Sequence, residues 1–306
     1  MLVGCSGGAD SLALAAATLF ERRAAGWRVG LVTVDHGLQP GSAERASGIA
    51  AWARESGFSP VDVRAVQVTG EGGPEAAARH ARYEALDKAA AEHGATAVLL
   101  GHTADDQAET VLLGLARGSG ARSLAGMPAR RGIYRRPLLD MSRDVVRAAA
   151  ANATREPWED PHNTDPAYTR ARLRQALKQL DHALGTDLPA NLARSARMLR
   201  ADADALDAIA DAERARLAQP DHTLSAAAVQ ELPAAIRTRV IRGWLLEAGL
   251  PAGVLTAAHI DAVDALLTNW HGQGPVALPR GHVVIRRHDR LRIAGGPTPE
   301  PAKPIL

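Results

Sequence analysis

A chain that sets Ser6-Gly7-Gly8-Ala9-Asp10-Ser11 between the apolar run Leu2-Val3-Gly4-Cys5 and the Ala/Leu-rich run from Leu12 has few ways to fold there. The order reads as strand, glycine turn, helix. Adjacent glycines permit a tight turn with positive φ and leave no Cβ in the path of a ligand. Two serine hydroxyls and the free N–H groups of the helix start then point at the same space. Such a turn suits a pyrophosphate group.

The pattern continues past the loop. Ala9 to Ala25 has helical spacing, Trp27 to Val34 reads as a buried strand closed by Asp35-His36-Gly37, and Ala43 to Gly57 is helical again. Val61 to Val68 alternates as a strand, Pro74 to His93 is helical with Pro in its first turn, Thr96 to Leu100 is a strand, and a helix follows over Asp105 to Arg117. Strands alternating with helices in this way predict an α/β fold, a doubly wound parallel sheet with ligands at the carboxyl ends of its strands. Ser6, Asp35 and His102 each follow a strand end, so this topology puts them on one edge. Beyond Asp187 the pattern turns mainly helical, over Asn191 to Leu217, Leu224 to Leu250 and His259 to Trp270. Period-two alternation returns at Val276-Leu278, Val283-Ile285 and Leu291-Ile293, which predicts a small terminal meander over a helical layer. The predicted boundaries are 1–186 for the first domain, 187–295 for a smaller mainly helical domain, and 296–306 for a proline-rich disordered tail.

Composition excludes several function classes. No apolar stretch is long enough to span a bilayer and no signal-peptide layout is present, so the reading is a cytoplasmic chain without a membrane partner. Cys5 is the single cysteine. One thiol makes no internal disulfide, metal knuckle or persulfide relay, which argues against secretion and against sulfur-transfer chemistry. Net charge is +2, so any RNA-binding surface must be local. Only Lys88, Lys178 and Lys303 are lysines, and in so arginine-rich a chain an arginine carries little information by itself. Arg117 to Arg147 nonetheless holds eight arginines against Asp140 and Asp144. A phosphate-binding stretch and a solvated face are both consistent with that excess.

The loop resembles the S-G-G-x-D-S signature of ATP pyrophosphatases, which adenylate a substrate and release pyrophosphate. The Walker pattern with its loop lysine is absent, so AMP transfer rather than phosphorylation is implied. A second cluster, His102-Thr103-Ala104-Asp105-Asp106-Gln107-Ala108-Glu109-Thr110, packs three carboxylates and an imidazole into one strand-to-helix transition. One acid there is ordinary capping. A second on the same helix face, with a histidine at the strand end, points to a substrate ammonium or a metal ion.

Taken with Val34-Asp35-His36-Gly37-Leu38, Ala81-Arg82-Tyr83, Arg117-Gly118-Ser119-Gly120, Arg136-Pro137-Leu138-Leu139, Glu159-Asp160-Pro161, Asn163-Thr164-Asp165 and Tyr168 to Arg174, these segments closely resemble the tRNA(Ile)-lysidine synthetase family. Leu232 to Leu245 and His259-Ile260 resemble that family's helical substrate-binding domain. The resemblance implies adenylation by ATP of the wobble cytidine of tRNA(Ile) bearing a CAU anticodon, then attack by L-lysine with release of AMP. It implies that Ser6, Gly7, Gly8, Ala9, Asp10 and Ser11 cradle the pyrophosphate, that Asp35 contacts the adenosine, and that Asp10 and Asp106 hold Mg²⁺. Asp106 and Glu109, with His102 beside them, would bind the lysine and accept its proton; Arg82 would contact the reacting phosphate. Arg172 and Arg174 are two apart on a predicted helix, so at most one reaches the site. The six residues Asp10, Asp35, Arg82, His102, Asp106 and Glu109 are expected in one cleft, bordered by the Arg117–Arg147 stretch.

Ala171 stands where the family usually has Asn, and His162 where it often has Ser. The family's longer members carry an extra C-terminal domain, so the resemblance is to the short form, and a homodimer is implied. With only five residues before the loop the first strand is expected to be short and the chain less stable than one extended at its N-terminus; equal melting temperatures would refute this. The rival readings are a tRNA 2-thiolation enzyme of the same fold, which the lone cysteine opposes, an amidotransferase lacking its glutaminase segment, and a noncatalytic RNA-binding relative, which the intact Asp10, Asp106 and Glu109 oppose.

Overall fold

A computed structural model describes residues 1–69, 74–151, 156–160, 165–219 and 221–295. The expected disordered tail and the position of His162 lie outside the described residues. Two compact units result, Met1–Arg200 and Ala201–Leu306.

The first unit runs β1 (Leu2–Gly4), α1 (Ala9–Ala25), β2 (Gly30–Asp35), α2 (Ser42–Glu55), β3 (Val61–Ala65), α3 (Pro74–Glu92), β4 (Val98–Leu100) and α4 (Ala104–Ala116). It continues through α5 (Ala121–Leu124), β5 (Arg130–Arg131), β6 (Tyr134–Arg135), α6 (Arg143–Ala150), α7 (Thr169–Leu184) and the start of α8 (Leu188–Leu217). The strand order is β3-β2-β1-β4-β6-β5, parallel except for the edge pair β5–β6. Alternation along the strands sends consecutive side chains to opposite faces. Val3, Cys5 and Leu31 pack with Leu12, Ile49 and Trp52 of α1 and α2, while Leu2 and Val32 pack with Leu86 and Ala89 of α3. The order reverses between β1 and β4, the place where an open α/β sheet leaves a crevice at its carboxyl ends. The β5–β6 hairpin has no signal in the sequence, because two-residue strands rich in arginine show no period-two pattern.

The second unit holds the rest of α8, then β7 (Leu224–Ser225), α9 (Ala226–Gln230), α10 (Ala234–Glu247), α11 (Ala257–Thr268), β8 (Val276–Ala277), β9 (His282–Arg287) and β10 (Arg290–Gly295). Its sheet is antiparallel in the order β7-β10-β9-β8, around a core that includes Val240, Ile241, Leu245, Val263, Leu266 and Leu291. The helix expected over Leu224 to Leu250 is instead a strand and two helices. Helical spacing runs on across Leu232-Pro233, but Pro233 is the N-cap of α10 and can donate no backbone N–H to a continuing helix.

The expected boundary at 186/187, placed where the pattern turns mainly helical, precedes α8, and the division into compact units falls at Arg200, inside that helix. The first half of α8 is tied to the first unit. Arg200 Nη2 donates to the carbonyls of Ala125 (2.9 Å) and Gly126 (2.6 Å), and Arg197 pairs with Asp140 at 3.1 Å. The second half sends Ala210 and Leu217 into the other core. Among the described residues no helix is long and apolar enough to cross a membrane.

Candidate functional site

The turn after β1 is built from backbone. Gly7 has φ +83°, and a Cβ there would lie 2.7 Å from Ile49 Cδ1. Gly8 caps α1 without a side chain, so the first-turn N–H groups are presented to an anion. Ser11 locks the turn from inside: its Oγ donates to Gly8 O at 2.9 Å and accepts from Ser6 N at 3.2 Å. Ser6 Oγ lies 3.4 Å from that hydroxyl, and the buried Cys5 Sγ 3.5 Å from it.

Beside this loop opens a cavity of about 340 Å³, lined by Ser6, Gly8, Asp35, His36, Arg82 and Trp158 among others. Asp35 Oδ1 accepts from Gly37 N at 2.9 Å; that bond, with the Ser42 hydroxyl and nearby Arg45 assisting against burial, holds its carboxyl below the usual range. Arg82 projects from α3 without a hydrogen bond or ion pair to any described residue. Burial lowers its pKa. His36 is kept neutral by burial and by Arg82, and its Nδ1 is buried without a partner.

The second cluster adjoins the first through Asp10 and Gly101. A Cβ on Gly101 would lie 2.8 Å from Asp10 O and 3.2 Å from Ser11 Cα, so only a residue without a side chain lets the end of β4 rest on the start of α1. Thr103 then caps α4, its N and Oγ1 donating to Asp106 Oδ2 at 2.9 and 3.2 Å. Asp106 Oδ1 receives Arg143 Nη2 at 2.8 Å. Glu109 is fully buried, where its Oε1 takes Arg174 Nε at 2.6 Å and Arg143 Nη2 at 3.4 Å. Asp105 accepts from the main chain of the same arginine, Arg143 N, at 2.7 Å. Asp106 therefore both caps the helix and joins the ion-pair cluster.

Asp10 lies on the seam. Its Oδ2 is 3.7 Å from Arg143 Nε, and its Oδ1 is buried without a hydrogen-bond partner. Burial raises its pKa, partly offset by Arg143. His102 Nδ1 accepts from Arg136 Nε at 3.2 Å, which leaves Nε2 as the donor of the neutral ring. Burial, together with Arg82 and Arg136 and against the pull of Asp106, lowers its pKa to about 3, so the ring is uncharged at neutral pH.

The expected residues thus fall into two adjoining groups. Ser6, Gly8, Asp35 and Arg82 line the cavity; Asp106 and Glu109 form the ionic cluster; Asp10 and His102 stand between them. Arg174 reaches the cluster, and Arg172 does not, donating instead to Pro166 O and Ala167 O ahead of α7. Of the Arg117–Arg147 stretch, Arg136 and Arg143 enter the site, whereas Arg130 and Arg131 are exposed on the edge hairpin. Arg143 had no individual signal in the sequence beyond Ser142, the N-cap of its helix.

A strand, a glycine turn with helix-start amides and an adjoining buried arginine fit a PP-loop, ATP-utilising enzyme, and the family model described as PP-loop domain matches residues 1–180. A second, described as TilS substrate binding domain, matches residues 224–292. The tRNA(Ile)-lysidine synthase of Thermobifida fusca is 58% identical over 290 residues, covering 94% of this chain and 89% of that protein. That of Streptomyces coelicolor is 55% identical over 301 residues, covering 97% and 85%. The chain belongs to the tRNA(Ile)-lysidine synthase family. Among solved structures, the U34-tRNA thiolase NcsA of Methanococcus maripaludis, which carries a [4Fe-4S] cluster, shares the fold at TM-score 0.50 and 17% identity over 65% of this chain and 72% of that one. With Cys5 as its single cysteine, this chain cannot supply the thiolates of such a cluster.

Proposed function

We propose that this chain converts the wobble cytidine of tRNA(Ile) with a CAU anticodon to lysidine, using ATP and L-lysine. The observation that carries the reading is the contact of two unlike sites across Gly101: an anion cradle with an unpartnered Arg82, and a buried carboxylate pair.

The cytidine O2 attacks the α-phosphorus of ATP and pyrophosphate leaves; the ε-amine of lysine then attacks C2, AMP leaves, and the amine proton passes to a carboxylate. Charge develops on the α-phosphate in the first step, where Arg82 and the helix-start amides would meet it. Asp35 would hold the ribose. Asp106 and Glu109 would receive the ammonium and take its proton, with Arg143 and Arg174 holding the two carboxylates in place. Asp10 Oδ1, buried and without a partner, fits a Mg²⁺ ion, which is held by one or two carboxylates plus substrate phosphates. When bound, that ion would neutralise the departing pyrophosphate. Asp106 suits it less, since both its oxygens are engaged.

In the second unit Arg290 and Arg292 are exposed on one face of β10 and would meet the RNA backbone. A cytoplasmic homodimer completes the proposal; light scattering of the purified protein tests the dimer. The decisive assay supplies ATP, Mg²⁺, labelled lysine and the CAU transcript. Label should enter RNA with release of AMP and pyrophosphate. A well-folded preparation that labels no such RNA refutes the reading.

A further inference from the structure

The cavity beside the loop is walled partly by residues far away in sequence. Trp158 N donates to Gly7 O at 2.9 Å, gripping the carbonyl of the positive-φ residue in the anion cradle. The indole ring lies under the Arg45 guanidinium, 4.3 Å from its Cζ. Arg45 in turn donates to Gln39 Oε1 at 3.2 Å, and Gln39 Nε2 donates to Asp160 Oδ1 at 2.7 Å. The short segment holding Trp158 and Asp160 is thereby joined at one end to the loop after β1 and at the other to the loop after β2. Residues of both loops line the cavity. Gln39, Arg45, Trp158 and Asp160 all line it.

We propose that Trp158 and Arg45 are positioning residues of the nucleotide site: they clasp the two strand-end loops at a fixed spacing and so set the affinity for a nucleoside triphosphate, with no part in lysine binding. The proposal rests on the reading of this cavity as the ATP site. An arginine over an indole is attracted by the ring's quadrupole, and an aliphatic residue of similar bulk lacks that attraction. The clasp therefore depends on the aromatic face and on the cation together. Its effect should appear on nucleotide and pyrophosphate alike, because Gly7 belongs to the cradle.

The test measures Kd for a nonhydrolysable ATP analogue and for inorganic pyrophosphate, by calorimetry on the full chain without RNA. W158L and R45M should each raise both Kd values about fivefold. The double variant should be no worse than R45M alone, since R45M already removes the contact that W158L removes. W158F should recover part of the loss, and KM for lysine should stay within twofold throughout. A W158L protein with wild-type melting temperature and an unchanged Kd overturns the proposal, as does full additivity in the double variant or an equal shift in lysine KM. If W158L does not fold, R45M and Q39L decide, with the same expected loss of nucleotide affinity and the same overturning result. Lysine transfer by the wild type, run in parallel, separates the two readings: its absence removes the lysidine assignment and leaves the nucleotide comparison standing.

Discussion

The glycine-turn cradle and the ionic cluster adjoin, yet they are made differently. The cradle uses backbone amides, glycines and hydroxyls supplied within six consecutive residues, Ser6 to Ser11. The cluster uses long charged side chains from α1, α4, α6 and α7, joined at Asp10, Asp106, Glu109, Arg143 and Arg174. A site made of backbone has little to relax when its ligand arrives. One made of buried ion pairs depends on every partner, because removing one leaves the others desolvated and unpaired.

Substitutions should separate the two kinds of construction. The largest effect is expected at Gly7. A valine there must adopt φ +83° and meet Ile49 Cδ1, so G7V should lower kcat/KM for ATP at least about a thousandfold, some 4 kcal/mol of lost stabilisation, while circular dichroism stays native. A G7V enzyme within tenfold of wild type would mean the cradle is not backbone-built. Next comes Glu109: E109A should reduce unfolding free energy by about 3 kcal/mol, read by urea denaturation, and abolish lysine transfer with nucleotide binding retained. Loss of both functions together would erase the distinction between the sites. R174M should reduce lysine transfer about a hundredfold and R172M less than threefold, since of the two Arg174 alone has a described contact with Glu109. Equal losses would assign the effect to α7 as a whole.

The smallest effects concern pH. His102 has its folded pKa lowered to about 3, so between that value and its ordinary value the unfolded chain binds the extra proton. Stability should fall as pH drops through 6 toward 4, and H102N should flatten that slope in urea titrations. Asp10 has the opposite sign, because a raised carboxyl pKa destabilises the folded state as pH rises from the ordinary carboxylate value through the raised one. D10N should therefore raise the melting temperature at pH 7, with the gain vanishing as pH falls into the ordinary carboxylate range. A D10N protein less stable at pH 7 would show that Arg143 outweighs burial there.

This contrast also accounts for what could be read before the fold was known. The alternation from β1 to α4 and the cradle were legible because each rests on neighbours in sequence: apolar runs, paired glycines, a histidine and acids after a strand. The capping of α4 by Thr103 and Asp106 is equally local. Arg143 was illegible because its meaning comes from Asp10 and Glu109, distant in sequence, and arginine is commonplace in this chain. The choice between Arg172 and Arg174 turned on the rotation of α7 about its axis, which spacing alone does not fix. β7 escaped notice because its two residues begin a stretch with helical spacing.

Gly101 carries a further consequence. The space between the end of β4 and the first turn of α1 admits a hydrogen atom and excludes a methyl group, so the register between cradle and carboxylates is set by contact of main chain with main chain. In the proposed reaction, the distance an activated base would bridge to reach its amine is then a property of the sheet itself. In a library of variants selected for lysine transfer, position 101 should accept no residue but glycine, whereas positions that merely shape the rim, such as Leu38, should vary freely.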